Sequence, residues 1–556
     1  MTRSAPSEPA AAPARELALV AALALLPQLP FLGTAVSLDG PVFLAVARRI
    51  LEAPLDPFGF EMLWDPTSTS AAAFNRNPPL VSYYLAAWMG CAGGSEPLLH
   101  AALLPFPLLA ALCFHGIARR LAGPGLAPVA LFCASPAFVL LSGAFLLDVP
   151  VLALELLGVY ALLRGRARDA SAWQWLAGAA VALAGLTKYV GLSAAPLVAA
   201  AALLLCAEPR RALGRVLAPP LVAWTAWGVF TNARYGTPHF FGATDVIFEL
   251  GSARAFWNQL ASLPIYWGAA LLFPIGAFAR ALAGRSRGGE LAVACLLLGA
   301  LALGTALPRG EPPRRVALAL PAYLPGAVAF ASGAFLGLRG LLSIRRADPV
   351  QRWLWLWLAG MLVFSACVNW HVNAADALLV APPLLLLWAR DPELRPAGRG
   401  WQAGCAAALA FSLALASAEA QQANVYRDAA RSIAREIGAQ PGRRWFAGHW
   451  GLQHYLEAEG FRPIPPTAFG PAALAQGDWV VSARNVSQLE VARNLARYEI
   501  RPVWSWSAES ALPLRTENAD AGAGFYSHHT GYLPFAFSRV PLDVVALGRV
   551  TAVRTR

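Results

Sequence analysis

The sequence predicts an all-α polytopic membrane protein of about 13 transmembrane helices, with a small soluble α/β domain at its C-terminus. Three observations predict it. The 556 residues are 57% hydrophobic and only 14% charged, where an ordinary soluble chain is about one quarter charged, and mean hydropathy is +0.50. Apolar runs near or above the ~17 residues that cross a bilayer recur as far as residue 418. Between them, short arginine clusters fall in alternate loops, the pattern of the positive-inside rule. Without water to satisfy its peptide groups, a chain in hydrocarbon must form helices.

Taken in order, residues 1–16 form a cytoplasmic N-terminal tail and 17–418 a transmembrane domain. The expected spans are 17–36, 98–118, 126–146, 149–163, 172–186, 190–206, 216–231, 263–283, 290–307, 316–338, 353–368, 376–389 and 401–418. The first resembles a secretory signal, but so many spans follow that an uncleaved helix is the expectation. Alternate loops hold Arg119 and Arg120; Arg164, Arg166 and Arg168; Arg210, Arg211 and Arg215; Arg280, Arg285 and Arg287; Arg339, Arg345, Arg346 and Arg352; and Arg390, Arg395 and Arg399. These loops are assigned to the cytoplasm. With an odd number of spans, the N-terminus is then cytoplasmic and the C-terminal domain periplasmic or extracellular, in a multi-pass protein of the cell inner membrane. Arg309, Arg314 and Arg315 break the pattern on the outer side.

The outer loop 37–97 contains two helix-like stretches, Val42 to Leu51 and Pro78 to Met89, amphipathic enough to lie along the membrane surface. Residues 419–556 open with a polar helix, Asp428 to Ile437, and continue with β-like runs such as Trp479-Val480-Val481 between Gly/Pro turns. The net charge of +12 does not point to nucleic acid, because the arginines sit in loops between spans. Seven cysteines lie in or beside apolar segments without metal-ligand spacing, and the histidines of the tail lack any HExxH-like pattern.

Ionisable groups beside apolar segments are costly unless used. Asp39 follows the first span in Ser37-Leu38-Asp39-Gly40-Pro41, and Asp148 precedes Val149-Pro150. Each alone reads as a solvated helix-end residue; two on one face, each beside a proline, read as a site. Lys188, in Leu186-Thr187-Lys188-Tyr189, is the only lysine in the chain. A lysine among so many arginines suits a compact ammonium for phosphate, against the alternative of an interfacial snorkelling residue. Arg76, before Asn77-Pro78-Pro79, is another outer-face cation, and Arg314 and Arg315 are candidates to clamp a lipid phosphate.

In order along the chain, Asp39, Asn77-Pro78-Pro79-Leu80 through Trp88, Asp148-Val149-Pro150, Gly185-Leu186-Thr187-Lys188 and Asn369-Trp370-His371-Val372-Asn373 resemble glycosyltransferase family 39. This is the protein O-mannosyltransferase and aminoarabinose-transferase group of the GT-C fold, in its bacterial subgroup. The tail string Gly448-His449-Trp450-Gly451-Leu452-Gln453-His454-Tyr455 resembles the C-terminal domain of bacterial members. The resemblance implies an inverting transfer of sugar from a polyprenyl-phosphate-linked donor to a lipid, glycan or protein acceptor at the outer face. It makes Asp39 the general base, Asp148 an orienting residue, and Lys188, with Arg76, Arg314 or Arg315, the ligands of the donor phosphate. No cofactor is implied; a divalent metal is conceivable but unsupported. Two departures stand out: Gly40 replaces the second acid of the family's Asp-Glu pair, and Ala375 and Asp376 lie where relatives carry an arginine. The alternative function is a transporter or flippase of a lipid-linked or small polar substrate, which repeats and midplane charges would favour; neither is evident here.

Overall fold

The computed structural model describes residues 12–554 except 65, 67, 168–169, 245–252, 284–286, 307–312, 345–346, 370, 396–397, 487–488 and 532. The architecture is a helical bundle whose last helix carries a small mixed domain. Among the described residues, five helical segments are long and apolar enough to cross a membrane: Ala14–Phe31, Glu96–Leu121, Pro325–Leu342, Pro349–Val368 and Gly400–Ile437. Two bent helix pairs bring the number to seven if each counts as one crossing.

The expectation of 13 full spans is met only in part, and backbone chemistry explains the difference. Expected span 126–146 divides into Ala127–Cys133 and Pro136–Gly143. Pro136 has no N–H to give, and the Ser135 hydroxyl instead caps the new helix by accepting from Phe138 N at 3.3 Å. Pro136–Gly143 then turns by 115° into Asp148–Arg164. Expected span 263–283 breaks at Leu272, which adopts φ 61°, so that its halves meet at 86°.

The basic loops gather at one end of the bundle. Arg119 pairs with Glu16 at 2.5 Å, Arg390 with Asp348 at 2.5 Å and Arg339 with Asp391 at 2.7 Å. Arg280 donates to the carbonyl of Arg395 at 2.9 Å, and Arg215 to Gln174 at 2.8 Å. Helix Asp148–Arg164 runs from this end to the other. Its 17 residues span about 25 Å at 1.5 Å per residue, close to the thickness of the hydrocarbon layer.

At the opposite end, helices Gly40–Glu52 and Leu80–Ala92 of the outer loop do more than cover a surface. Val42, Phe43, Val46, Ala47 and Ile50 of the first share one apolar cluster with Val81, Leu85 and Ala86 of the second.

The tail is less separate than its composition suggests. The polar helix expected at Asp428 is the continuation of the last span: Gly400–Ile437 is one 38-residue helix, and the expected boundary at 419 falls inside it. Tyr426, Ala429, Ala430, Ile433 and Ile437 recur at helical spacing and enter the tail's own core. That core lies against a five-stranded sheet, ordered Arg462–Pro463, Arg444–Ala447, Trp479–Ala483, Asp543–Val553, Tyr498–Ala508. The first three strands are parallel and the last two join antiparallel.

Candidate active site

Asp148 is the first residue of helix Asp148–Arg164, placed by the sharp bend before it. Lys188 ends the neighbouring helix Ser171–Thr187, where the chain turns extended (φ −153°, ψ 142°). Because these helices run side by side, their site-facing ends bring the two charges together: Lys188 Nζ donates to Asp148 Oδ1 at 2.7 Å. Both residues line a cavity of about 900 Å³, and 32% of the Lys188 side chain remains exposed to it.

Asp39 lines the same cavity. It holds the N-cap position of Gly40–Glu52, yet its carboxylate makes no capping bond, which leaves the oxygens turned to the cavity. Leu38, the residue before, is forced to φ 52°, a conformation that costs a non-glycine residue on the order of 1 kcal/mol or more. Asp39 is exposed to the cavity, yet the protein crowded around it raises its carboxyl above the usual range by desolvation; the charge of Lys188 opposes the rise and that of Asp148 adds to it. For Lys188, desolvation pulls downward, but the carboxylates of Asp148, Asp376 and Asp39 outweigh it and hold the ammonium above its ordinary value. One lysine thus stands among three acids.

The departures from the family pattern acquire physical reasons here. A Cβ on Gly40 would lie 2.8 Å from Phe145 Cβ and 2.9 Å from Val36 Cγ1. The first loop therefore packs on the segment leading to Asp148 only because residue 40 has no side chain. Asp376 does not leave a gap where an arginine is missing. Its carboxylate accepts both from Asn369 Nδ2 (3.2 Å) and from Asn373 N (3.3 Å), while Asn373 Oδ1 accepts from Asp376 N (3.0 Å), a reciprocal cap on helix Ala374–Arg390. Asp376 lines the cavity with Asn369, His371 and Asn373.

Arg76 also lines the cavity. Arg309 lies outside the described residues, as do the side chains of Arg314 and Arg315, whose backbone belongs to helix Pro313–Ser343. Of the residues expected from sequence, the structure therefore brings together Asp39, Asp148, Lys188 and Arg76.

Tail residues that sequence reasoning did not connect to the site form the remaining wall: His449, Trp450, Glu517, Tyr526, Ser527 and Thr530. They are held there by backbone pairing. Ala374 N donates to the carbonyl of Phe525 (2.9 Å), His528 N to that of Val372 (2.9 Å), and Val372 N to His528 Nδ1 (3.0 Å). Tyr266, from the bundle, donates its hydroxyl to the carbonyl of Gly524. Burial raises the Glu517 carboxyl to about 8, against hydrogen bonds from Thr530 and from the Tyr526 backbone. Burial lowers the His371 imidazole to about 3, helped by the charge of Lys188, and that ring stays neutral.

A second tail contact bears on Asp39. Helix Trp450–Ala458 lies over residues 35–38, with Val36 N donating to the Tyr455 hydroxyl (2.7 Å), which donates in turn to Glu96 (2.5 Å). A Cβ on Gly451 would come within 2.7 Å of the Val36 carbonyl, so a glycine is what permits this approach. Trp64 of the outer loop and His449 of the tail meet with ring centroids 4.2 Å apart and planes tilted by 47°. Among the described residues no three His, Cys, Asp or Glu side chains gather as a metal site.

A helical membrane bundle with a roofed, mixed-charge cavity at one end is the class of protein that this geometry defines. A family model described as dolichyl-phosphate-mannose-protein mannosyltransferase matches residues 102–233, the stretch that holds both Asp148 and Lys188, and so bears out the resemblance read from the sequence. Among solved structures, the chain is similar to ArnT from Cupriavidus metallidurans in the apo state, at 18% identity over 88% of this chain and 96% of that one, with TM-score 0.45. It is similar to the Archaeoglobus fulgidus oligosaccharyltransferase in the apo form, at 14% identity over 88% and 73%, with TM-score 0.46. It is also similar to the S. cerevisiae Pmt1-Pmt2 complex bound to the sugar donor, at 17% identity over 43% and 36%, with TM-score 0.32. No curated protein matches the chain by sequence.

Proposed function

We propose that the protein is a membrane glycosyltransferase that moves a sugar from a polyprenyl-phosphate-linked donor to an acceptor at the outer face of the cell inner membrane. The observation that carries this reading is the single cavity lined by Asp39, Asp148, Lys188 and Arg76. It offers a free carboxylate, an ammonium and a guanidinium to one ligand. The family match over residues 102–233 supports the same reaction class.

In this reading Asp39 accepts the proton of the acceptor hydroxyl as its oxygen attacks the anomeric carbon. The bond from that carbon to the phosphate oxygen breaks in the same displacement, which inverts the anomeric configuration. Polyprenyl phosphate leaves with the bonding electron pair, and Lys188 and Arg76 stabilise the charge that develops on it. Asp148 aims the ammonium. Arg314 and Arg315 remain candidates for the phosphate. The buried carboxyl of Glu517 and the adjoining rings of Trp64 and His449 suit the acceptor side, which is lipid, glycan or protein. The transporter reading is less well supported, because Asp39, Asp148, Lys188 and Arg76 gather at the end of the bundle opposite the basic loops, whereas the buried acid nearer the middle, Glu155, is bonded to Ser193 and does not line the cavity.

The shorter and bent helices complete about 13 crossings in this reading, with the basic end cytoplasmic and the tail periplasmic. Reporter fusions after Arg166, Thr237 and Gln440 are expected to read inside, outside and outside; a cytoplasmic signal at Gln440 overturns the topology. The activity itself is tested by mass spectrometry of glycolipids, glycans and glycoproteins from a deletion strain. Loss of one sugar from one acceptor class is expected, and an unchanged profile with altered transport of a lipid-linked substrate favours the alternative.

A further inference from the structure

We infer that His239 is a positioning residue that ties the two cations of the donor-phosphate site to each other. The inference rests on the assignment of Lys188 and Arg76 to that phosphate. These two residues come from distant segments, one at the end of a membrane helix and one in the outer loop. Nothing local in the sequence sets their separation. Each, however, follows or precedes a residue bound to the same imidazole.

The chain of bonds is complete and its polarity is determined. His239 Nε2 lies 2.7 Å from the carbonyl oxygen of Asn75, the neighbour of Arg76. A carbonyl only accepts, so Nε2 carries the proton. Nδ1 is then the acceptor, and the hydroxyl of Tyr189, the neighbour of Lys188, donates to it at 2.7 Å. Tyr189 in turn accepts from Trp227 Nε1 at 3.1 Å. Burial lowers the His239 imidazole to about 4, which keeps the ring in the neutral form that this arrangement needs, with one donor and one acceptor.

The ring itself is fixed from the remaining directions. It stacks on Phe58 with centroids 4.8 Å apart and planes 19° from parallel, and meets Trp227 edge to face. Its backbone N–H donates to Thr231 Oγ1 at 3.0 Å. Asn75 and Tyr189 both line the cavity, so His239 sits directly behind the wall that carries Arg76 and Lys188. A ring needed only to fill space would not require both nitrogens to be engaged with segments that far apart in the chain. Phenylalanine would fill that space equally well, and this separates a positioning role from a packing role.

His239→Phe keeps the stack and removes both nitrogen bonds. In purified full-length protein, the affinity for polyprenyl phosphate is expected to fall roughly three- to tenfold, the scale of one or two buried hydrogen bonds. Tyr189→Phe is expected to give a similar loss, and the double variant to be little worse than either single one, because both cut the same chain of bonds. Lys188→Ala serves as the reference. If it weakens polyprenyl phosphate binding while His239→Phe binds like the unmodified protein, or if the two losses simply multiply, the positioning role is overturned. If Lys188→Ala also binds normally, the phosphate assignment fails and this inference fails with it. Should His239→Phe not extract as a monodisperse protein, Tyr189→Phe decides alone: it leaves the imidazole in place, and unaltered binding overturns the proposal.

Discussion

Asp39→Asn is expected to abolish sugar transfer while donor binding stays close to normal. Asparagine keeps the size of the side chain and its place before Gly40, but it has no basic oxygen to take a proton. Loss of a general base lowers turnover on the order of 100-fold or more. The N-cap geometry argues that folding survives the change, since the Asp39 carboxylate makes no capping bond to lose. A pH profile gives an independent check. Desolvation raises the Asp39 carboxyl above the usual range, and only the deprotonated form is a base. The acid limb of kcat/KM should therefore lie above the ordinary aspartate value and vanish in the variant. Near-normal turnover of Asp39→Asn at saturating donor would place the base on another residue.

Lys188→Ala is expected to fail differently, by weakening donor binding as well as turnover. Phosphate is charged before and after transfer, so an ammonium assigned to it acts on the ground state and the transition state together. The variant also leaves Asp148 without its partner at 2.7 Å, facing a phosphate of like charge. Asp148→Asn, by contrast, keeps the ammonium and loses only its aim, and an intermediate effect is expected. Measured separately, polyprenyl phosphate affinity should fall in Lys188→Ala and hold in Asp39→Asn. Equal affinities in the two variants would remove Lys188 from the phosphate site.

How much of this was legible in the sequence depended on distance along the chain. Asp39, Asp148 and Lys188 were readable because each is a charge set against an apolar run, two of them beside prolines and the third a solitary lysine. Asp376 was readable only as a missing arginine; that it is held by Asn369 and Asn373 emerges from the cap it forms at the start of Ala374–Arg390. Glu517 and Tyr526 carried no local signal, and the string around His449 was legible only as a resemblance, since what makes these wall residues is contact between segments more than a hundred residues apart. The helices were legible by their apolar runs, but their breaks were not. Ser135-Pro136 and Leu272 interrupt runs whose hydropathy continues across the break. The opposite error occurred at residue 419, where polarity rose while the helical spacing of buried residues continued.

That uninterrupted helix, Gly400–Ile437, makes the roof and the floor of the cavity share one rotational phase. A helix advances about 100° per residue, so one residue inserted near the bilayer would swing the tail about a quarter turn and carry Trp450, Glu517 and Tyr526 away from Asp39 and Lys188. Four inserted residues would nearly restore the angle but lift the roof by about 6 Å. The length of this stretch is accordingly held to the residue, although most of its outward-facing side chains touch nothing in the site. The cavity thus lies between a floor at the end of the bundle and a ceiling of fixed height and bearing.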